Sequence, residues 1–210
     1  MLIGNRFIDE LQSERVAYIG GSLDAGKTRL AFEAARFLWL RGYRVIANVP
    51  HNYLRPESHD KSFLYKSVVI LDEGGEFFRD AKTGSVITRS AAKSDYYVLI
   101  PAKRPPHKSM VRLSISPRFN FLSVYGIPAI WWKVVVRADQ NYTVSFWQIF
   151  PGLIHGTYST KTSAGGIEII LSLAEKTAKK LANDEGQEAG QELKTGLAQL
   201  QREALENFSV

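Results

Sequence analysis

Cysteine is absent from the 210-residue chain. Without thiols there is no disulfide framework and no thiolate metal site, and a reducing cytoplasm is compatible. Long apolar runs are missing too. The longest uncharged, mostly apolar stretch, Phe119 to Trp132, spans 14 residues and contains Pro128. That is too short for a membrane span and reads as buried strand. The opening MLIGNRFIDELQSER lacks the charged, then apolar, then small order of a secretory signal, and reads as a short helix or lead-in. No Asn-Lys-x-Asp guanine signature occurs, which disfavours a GTPase. Acidic residues are missing from Pro101 to Arg118, a stretch holding five Lys/Arg. The net charge of +6 is uneven: Glu168 to Val210 carries five Lys/Arg against eight Asp/Glu, a net of −3, leaving +9 on the first 167 residues. A basic body with an acidic tail favours a polyanionic partner, although a solvated basic surface accounts for the charge equally well.

What is present begins with VAYIGGSLDAGKT, Val16 to Thr28. An apolar run ends in two glycines. Gly21, Ser22, Leu23, Asp24, Ala25, Gly26, Lys27 and Thr28 then spell G-x-x-x-x-G-K-T. A strand, this loop and a helix in succession make a phosphate-binding loop, or Walker A motif. Successive backbone N–H groups cradle the phosphates, and the helix dipole adds positive charge. Gly21 and Gly26 allow backbone approaches that a Cβ would block. Lys27 supplies charge for the β/γ-phosphates of ATP, and the Thr28 hydroxyl suits Mg²⁺.

The spacing of Leu30, Ala34, Phe37 and Leu38 predicts an amphipathic helix over 27–41, stopped by Gly42. Arg44 to Val49 reads as a strand ended by Pro50. A strand, helix, strand order predicts parallel strands. Residues 51–66 read as a polar loop; its His51 and His59 match no familiar metal-ligand spacing. Ser67-Val68-Val69-Ile70-Leu71-Asp72-Glu73 follows. The apolar run fits a central strand covered on both faces, and the two carboxylates make it a Walker B strand about 45 residues after Walker A. Asp72 would reach the Mg²⁺ beside Thr28, and Glu73 would act as general base toward water. A carboxylate that merely starts a helix is the other role open to Glu73.

Gly74 to Arg79 predicts a short helix, 85–93 another carrying Arg89, and Tyr96 to Ile100 a fourth strand. Its rigid, basic exit, Pro101 to Lys108, opens the acid-free run to Arg118. A basic loop there lies on the ligand side of such sheets and suits phosphates or a nucleic-acid backbone. Phe119 to Val124, Trp131 to Val136 and Tyr142 to Phe150 read as strands, the last two joined as a hairpin. Trp131, Trp132 and Trp147 fit core or interface packing better than base stacking. Gly156 to Thr162 reads as a polar loop. Residues 167–183 and the Leu193, Leu197, Leu200 and Ala204 stripe predict helices on either side of a 184–190 link. The division is a nucleotide-binding domain over 1–166 and a C-terminal helical appendage over 167–210.

Walker A with its following Arg-Val-Ile-Ala-Asn-Val strand, Ile-Leu-Asp-Glu-Gly-Gly with Arg89 beyond it, and a hairpin followed by Gly156-Thr157-Tyr158-Ser159-Thr160 together resemble the FtsK/HerA-like ATPases over about residues 14–163. The resemblance is to their small viral members, the genome-packaging ATPases and the zonula-occludens-toxin-like phage proteins. It implies an α/β P-loop NTPase fold: a mostly parallel central sheet flanked by helices, with an added β-hairpin and C-terminal helices. It implies ATP and Mg²⁺ as cofactors, a homo-oligomer such as a hexameric ring, and DNA moved without sequence readout. Capsid or portal proteins are further implied partners, and the host cytoplasm or the virion the implied location. The group commonly ends the strand after Walker B in a polar sensor, often Gln before a basic residue and Pro; Lys103 stands at the matching position here. An arginine finger across a subunit boundary is implied, with Arg89 first and Arg118 second. The toxin-like branch usually has a membrane span, and this chain shows none, so a soluble packaging ATPase is the expectation. A zonula-occludens-toxin-like assembly ATPase, a small-molecule nucleotide kinase and an ATP-binding assembly protein with negligible turnover stay open.

Overall fold

The computed structural model describes residues 2–3, 6–53, 64–78, 81–107, 113–124, 127–137 and 141–149, and helical positions 173, 176, 177, 180, 181 and 183. In chain order these form β1 (Leu2–Ile3), α1 (Arg6–Glu14), β2 (Val16–Ile19), α2 (Lys27–Trp39), β3 (Arg44–Ala47), β4 (Ser67–Ile70), a 3-10 helix (Gly74–Phe78), α3 (Ala81–Lys93), β5 (Tyr96–Pro101), β6 (Leu113–Val124), β7 (Ile127–Arg137) and β8 (Asn141–Ile149).

One eight-stranded sheet runs in the order β1-β8-β7-β6-β2-β5-β4-β3. Its β6, β2, β5, β4 and β3 are mutually parallel. The antiparallel β7 and β8 extend it, and β1 closes against β8. Every residue of β2, β4 and β5 is buried. Unbroken apolar runs such as Val68-Val69-Ile70 belong in strands covered on both faces, and that is where the sheet puts them. One face carries α1 and α2, with Phe7, Leu11, Leu30, Ala34 and Leu38 packed on Ala17, Ile19, Ile70 and Leu99. The other carries α3 and the 3-10 helix, where Ile87, Ala91 and Phe78 meet Val16, Val69, Val98 and Ile100. The architecture is α/β, a mostly parallel sheet between helical layers, with the expected hairpin at β7–β8.

Several elements depart from the sequence reading. The strand expected at Phe119 begins at Leu113, so the basic run Pro101–Arg118 is not one loop and Arg118 belongs to β6. Leu113 and Ile115 are fully buried beside β2, alternating with the less buried Ser114 and Ser116. That period of two is the strand signal, and the charges around it masked it. The apolar stretch Phe119–Trp132 divides between β6 and β7, which pair antiparallel from Ser114↔Arg137 to Val124↔Ile127. Pairing of β6 with β2 ends at Ile115, so the rest of the β6–β7 ribbon projects past the parallel core. The helix expected over 85–93 begins at Ala81.

At the N-terminal edge of the sheet, Arg15 Nη1 donates to Asp95 Oδ1 at 2.7 Å, and the Tyr43 hydroxyl reaches the same carboxylate at 3.0 Å. Both Arg15 and Asp95 have positive φ, so this cluster pins two strained turns. From the C-terminal segment, the Thr177 hydroxyl accepts from the Leu64 N–H at 2.9 Å and donates to the Leu173 carbonyl at 2.8 Å. Leu173 packs on the α3-side core. The 184–190 link, the last predicted helix and the Gly156–Thr162 loop lie outside the described residues. No helix among the described residues is long and apolar enough to cross a membrane.

Candidate functional site

The chain leaves β2 toward the β3 edge and leaves the neighbouring β5 toward β6 on the opposite side. Ligands of open α/β sheets bind at the carboxyl ends of strands where the connections diverge in this way. The 20–28 loop lies at that end of β2.

Its entry is fixed by Gly20, whose N–H donates to the Ile115 carbonyl at 2.6 Å. A Cβ there would fall 2.7 Å from the Tyr18 ring, so a larger residue would have to displace the phenol. The loop folds back on itself through Ala25 N–H to Ser22 O at 3.3 Å. Gly26 has φ 82° and stands at the N-cap of α2, where no described side chain caps the helix. The N–H groups of a helix's first turn lie ahead of its own hydrogen-bond ladder, and they suit an anion. Asp24 is also left-handed, at φ 58°. Lys27 is buried and donates from Nζ to the Ser22 carbonyl at 3.0 Å, which turns its charge inward over the loop.

The Thr28 hydroxyl donates to Asp72 Oδ1 at 2.7 Å. Residues 44 positions apart meet because α2 starts beside the end of β4. Asp72 is only 7% exposed. Burial pushes its carboxyl above the ordinary carboxylate range; the Thr28 hydrogen bond opposes the rise, Glu73 adds to it, and Lys27 opposes it. The backbone of Asp72 is held by Asn48, which donates from Nδ2 to the Asp72 carbonyl at 2.9 Å and accepts from the Asp72 N–H at 2.7 Å.

Glu73 is exposed and has φ 53°, a backbone state costing a glutamate on the order of 1 kcal/mol. Its N–H donates to the Pro101 carbonyl at 2.8 Å, and its Oε2 faces the Lys103 N–H at 3.4 Å. The buried Tyr18 donates its hydroxyl to the Lys103 carbonyl at 3.3 Å, and Ala102 N–H bonds Ile19 O at 3.2 Å. The phenol is pushed up by burial first and by the Glu73 charge second. Lys103 thus joins the site through its backbone, while its side chain is exposed.

Gly75 makes this junction possible. A Cβ on it would collide with the Arg104 carbonyl and press on Ala102. Gly75→Ala is therefore expected to cost about 1–3 kcal/mol, the range for overpacking against backbone. Urea unfolding checks this; an unchanged midpoint would mean the 102–104 loop yields freely.

Of the residues anticipated from sequence, Gly26, Lys27, Thr28, Asp72, Glu73 and the Lys103 backbone come together. Arg89 is exposed on α3, and none of these contacts includes it. The Arg118 side chain and those of Trp131, Trp132 and Trp147 lie outside the described residues. Sequence reasoning missed Tyr18, Asn48 and Gly75. The signal for Asn48 was a polar residue, fully buried as it turns out, where an apolar strand meets Pro50. His51 packs among Phe32 and Tyr53, its ring centroid 6.2 Å and 6.0 Å from theirs; His59 lies outside the described residues. Among the described residues no three or more His, Cys, Asp or Glu gather as a metal site. The Thr28 hydroxyl and the Asp72 carboxylate, 2.7 Å apart, are a sparse oxygen pair of the kind that could hold Mg²⁺ together with phosphate and water ligands. Comparison with protein-family models and with curated proteins gives no match.

Proposed function

We propose that the chain is a Mg²⁺-dependent P-loop ATPase of the FtsK/HerA-like kind that moves DNA, with genome packaging as its setting. The observation that carries this reading is the 2.7 Å contact of Thr28 with Asp72 beside the inward-turned Lys27. Lys27 and the backbone amides of Ser22 to Thr28 hold the ATP phosphates. Thr28 and Asp72 hold Mg²⁺, which when bound neutralises phosphate charge. Glu73, one residue beyond Asp72, takes the proton of the attacking water.

DNA is the acceptor of the motion on two grounds. The first 167 residues carry +9, and the exposed Lys103 and Arg104 follow the carboxyl end of β5, where the Lys103 backbone meets Glu73. Such contacts bind phosphate without reading bases and weaken steeply with salt. A ring of copies would let an arginine from a neighbour, Arg89 or Arg118, complete each site.

Replacing Lys27 by Ala tests the premise. Loss of a charge-assisted phosphate contact is expected to weaken binding of a fluorescent ATP analogue by about 10–100-fold. Undiminished affinity would remove the basis for ATP at this site. DNA is tested separately by hydrolysis and by mass in solution, each with and without single- or double-stranded DNA. ATP turnover that ignores both would point to a nucleotide kinase or to an assembly ATPase.

A further inference from the structure

The carboxylate pair is held from both sides, and only one side is sheet. Along β5 the ladder continues past β4: Leu71 N–H donates to Leu99 O at 2.9 Å, and Glu73 N–H to Pro101 O at 2.8 Å. Asp72, between them, points its backbone groups the other way, toward β3. There the ladder should fail. Regular pairing of β3 with β4 ends at Ala47↔Ile70. Asn48 N–H still reaches Ile70 O, at a stretched 3.3 Å, and Pro50 then removes a donor and turns the chain away.

The Asn48 side chain takes over the missing pairing. Its amide carries a carbonyl and an N–H in one rigid plane, as a peptide group does. It accepts from the Asp72 N–H at 2.7 Å and donates to the Asp72 carbonyl at 2.9 Å. Both bonds are buried, and Asn48 is 1% exposed. No other residue type of this size supplies a donor and an acceptor fixed in this way. Aspartate lacks the donor, and leucine of similar bulk lacks both.

We infer that Asn48 is a positioning residue for Mg-nucleotide hydrolysis: its side-chain amide clamps the backbone of Asp72 and so sets where the Asp72 and Glu73 carboxylates stand. The inference rests on the ATPase reading above. The clamp acts on Asp72, which bridges to Thr28, and on the peptide that feeds the left-handed turn at Glu73. A strained φ at a functional position persists only when its surroundings over-determine it. Pro101 fixes Glu73 from one side, and Asn48 fixes the preceding residue from the other. Groups that orient the holders of a metal commonly matter by 10–100-fold without touching it themselves.

Three measurements test this on the full chain. In the wild type, the Asp72 amide lies two residues beyond the end of β4 at Ile70. It is nonetheless expected to exchange with solvent as slowly as the Val69 amide. Exchange at the rate of an open turn would overturn the clamp without need of any variant. In Asn48→Ala, affinity for a fluorescent ATP analogue in EDTA is expected to stay within about twofold, because Lys27 and the loop are untouched. The Mg²⁺ concentration for half-maximal hydrolysis should rise by about tenfold or more, and kcat should fall by at least as much. A merely structural asparagine would lower the thermal midpoint and leave the Mg²⁺ midpoint and kcat of the folded fraction in place, and that result overturns the inference. A wild type that neither binds nor hydrolyses Mg-ATP overturns the ATPase reading and this inference together. An active wild type matched by Asn48→Ala overturns this inference alone.

Discussion

Changing Glu73 to Gln is expected to lower ATP turnover by about 10²–10⁴-fold, the usual worth of a positioned general base, while Mg-ATP affinity stays within a few-fold. Glutamine keeps the length and shape of the side chain and cannot take a proton. The affinity should hold because Lys27, Thr28 and Asp72, the proposed holders of the phosphates and Mg²⁺, are unchanged. Single-turnover hydrolysis and equilibrium binding read the two quantities separately. A second substitution sharpens the result. At φ 53° the Glu73 backbone favours glycine, so Glu73→Gly should raise stability by about 1 kcal/mol while abolishing the same turnover. A residue that costs stability where it stands and is needed for rate is one kept for chemistry. Turnover in Glu73→Gln equal to wild type would instead leave Glu73 as a helix-start carboxylate, consistent with its position just before the 3-10 helix at Gly74.

The parts of this site that could be read from sequence are those whose physics is local. Gly26-Lys27-Thr28 stands out because a loop, a cation and a hydroxyl would have to be adjacent to serve one phosphate tail. Val68-Val69-Ile70 before Asp72 declares itself because a strand buried on both faces has no polar alternation. The order of the strands is not local. Nothing in β2 or β5 says that they neighbour each other, since parallel strands are joined by long crossovers and the choice rests with the whole sheet. The two residues of β1 are too few for any period to show. Leu113-Ser114-Ile115-Ser116 alternates, but it is too short to stand out among the lysines and arginines around it. Asn48 and Gly75 fall in a further class. Asn48 has its reason in Asp72, 24 residues on, and Gly75 in the Arg104 carbonyl. Each looks ordinary until the chain is folded, because a pairwise contact leaves no pattern in either segment alone.

Glu33→Gln is expected to stabilise the protein above pH 7 by up to about 3 kcal/mol and to flatten its stability between about pH 4.5 and 7. Glu33 lies on α2 at 1% exposure, and its Oε1 has no hydrogen-bond partner among the described residues. The helical period places this position off the apolar face, yet α2 is buried on more than one stripe: Phe32, Glu33, Ala34 and Ala35 are all buried. Burial raises the carboxyl from its ordinary 4.5 to about 7, and the positive charges of the amino terminus, Arg36 and Arg29 only partly oppose it. The folded state therefore holds the proton more tightly than the unfolded chain. A raised carboxyl favours folding fully below about pH 4.5, and that contribution is lost as pH rises through about 7. Glutamine has the same shape and never ionises, so it keeps the low-pH condition at every pH. At pH 8 the variant should melt higher by about 6–12 °C, at about 2–4 °C per kcal/mol for a chain of this size, and at pH 4.5 the two proteins should nearly coincide. The buried Asp72 carboxyl shifts in the same direction and is present in both proteins, so the difference between them isolates Glu33. Parallel melting curves from pH 4.5 to 8 would mean that water or a countercharge reaches the Glu33 carboxylate and that α2 tolerates its charge in the core.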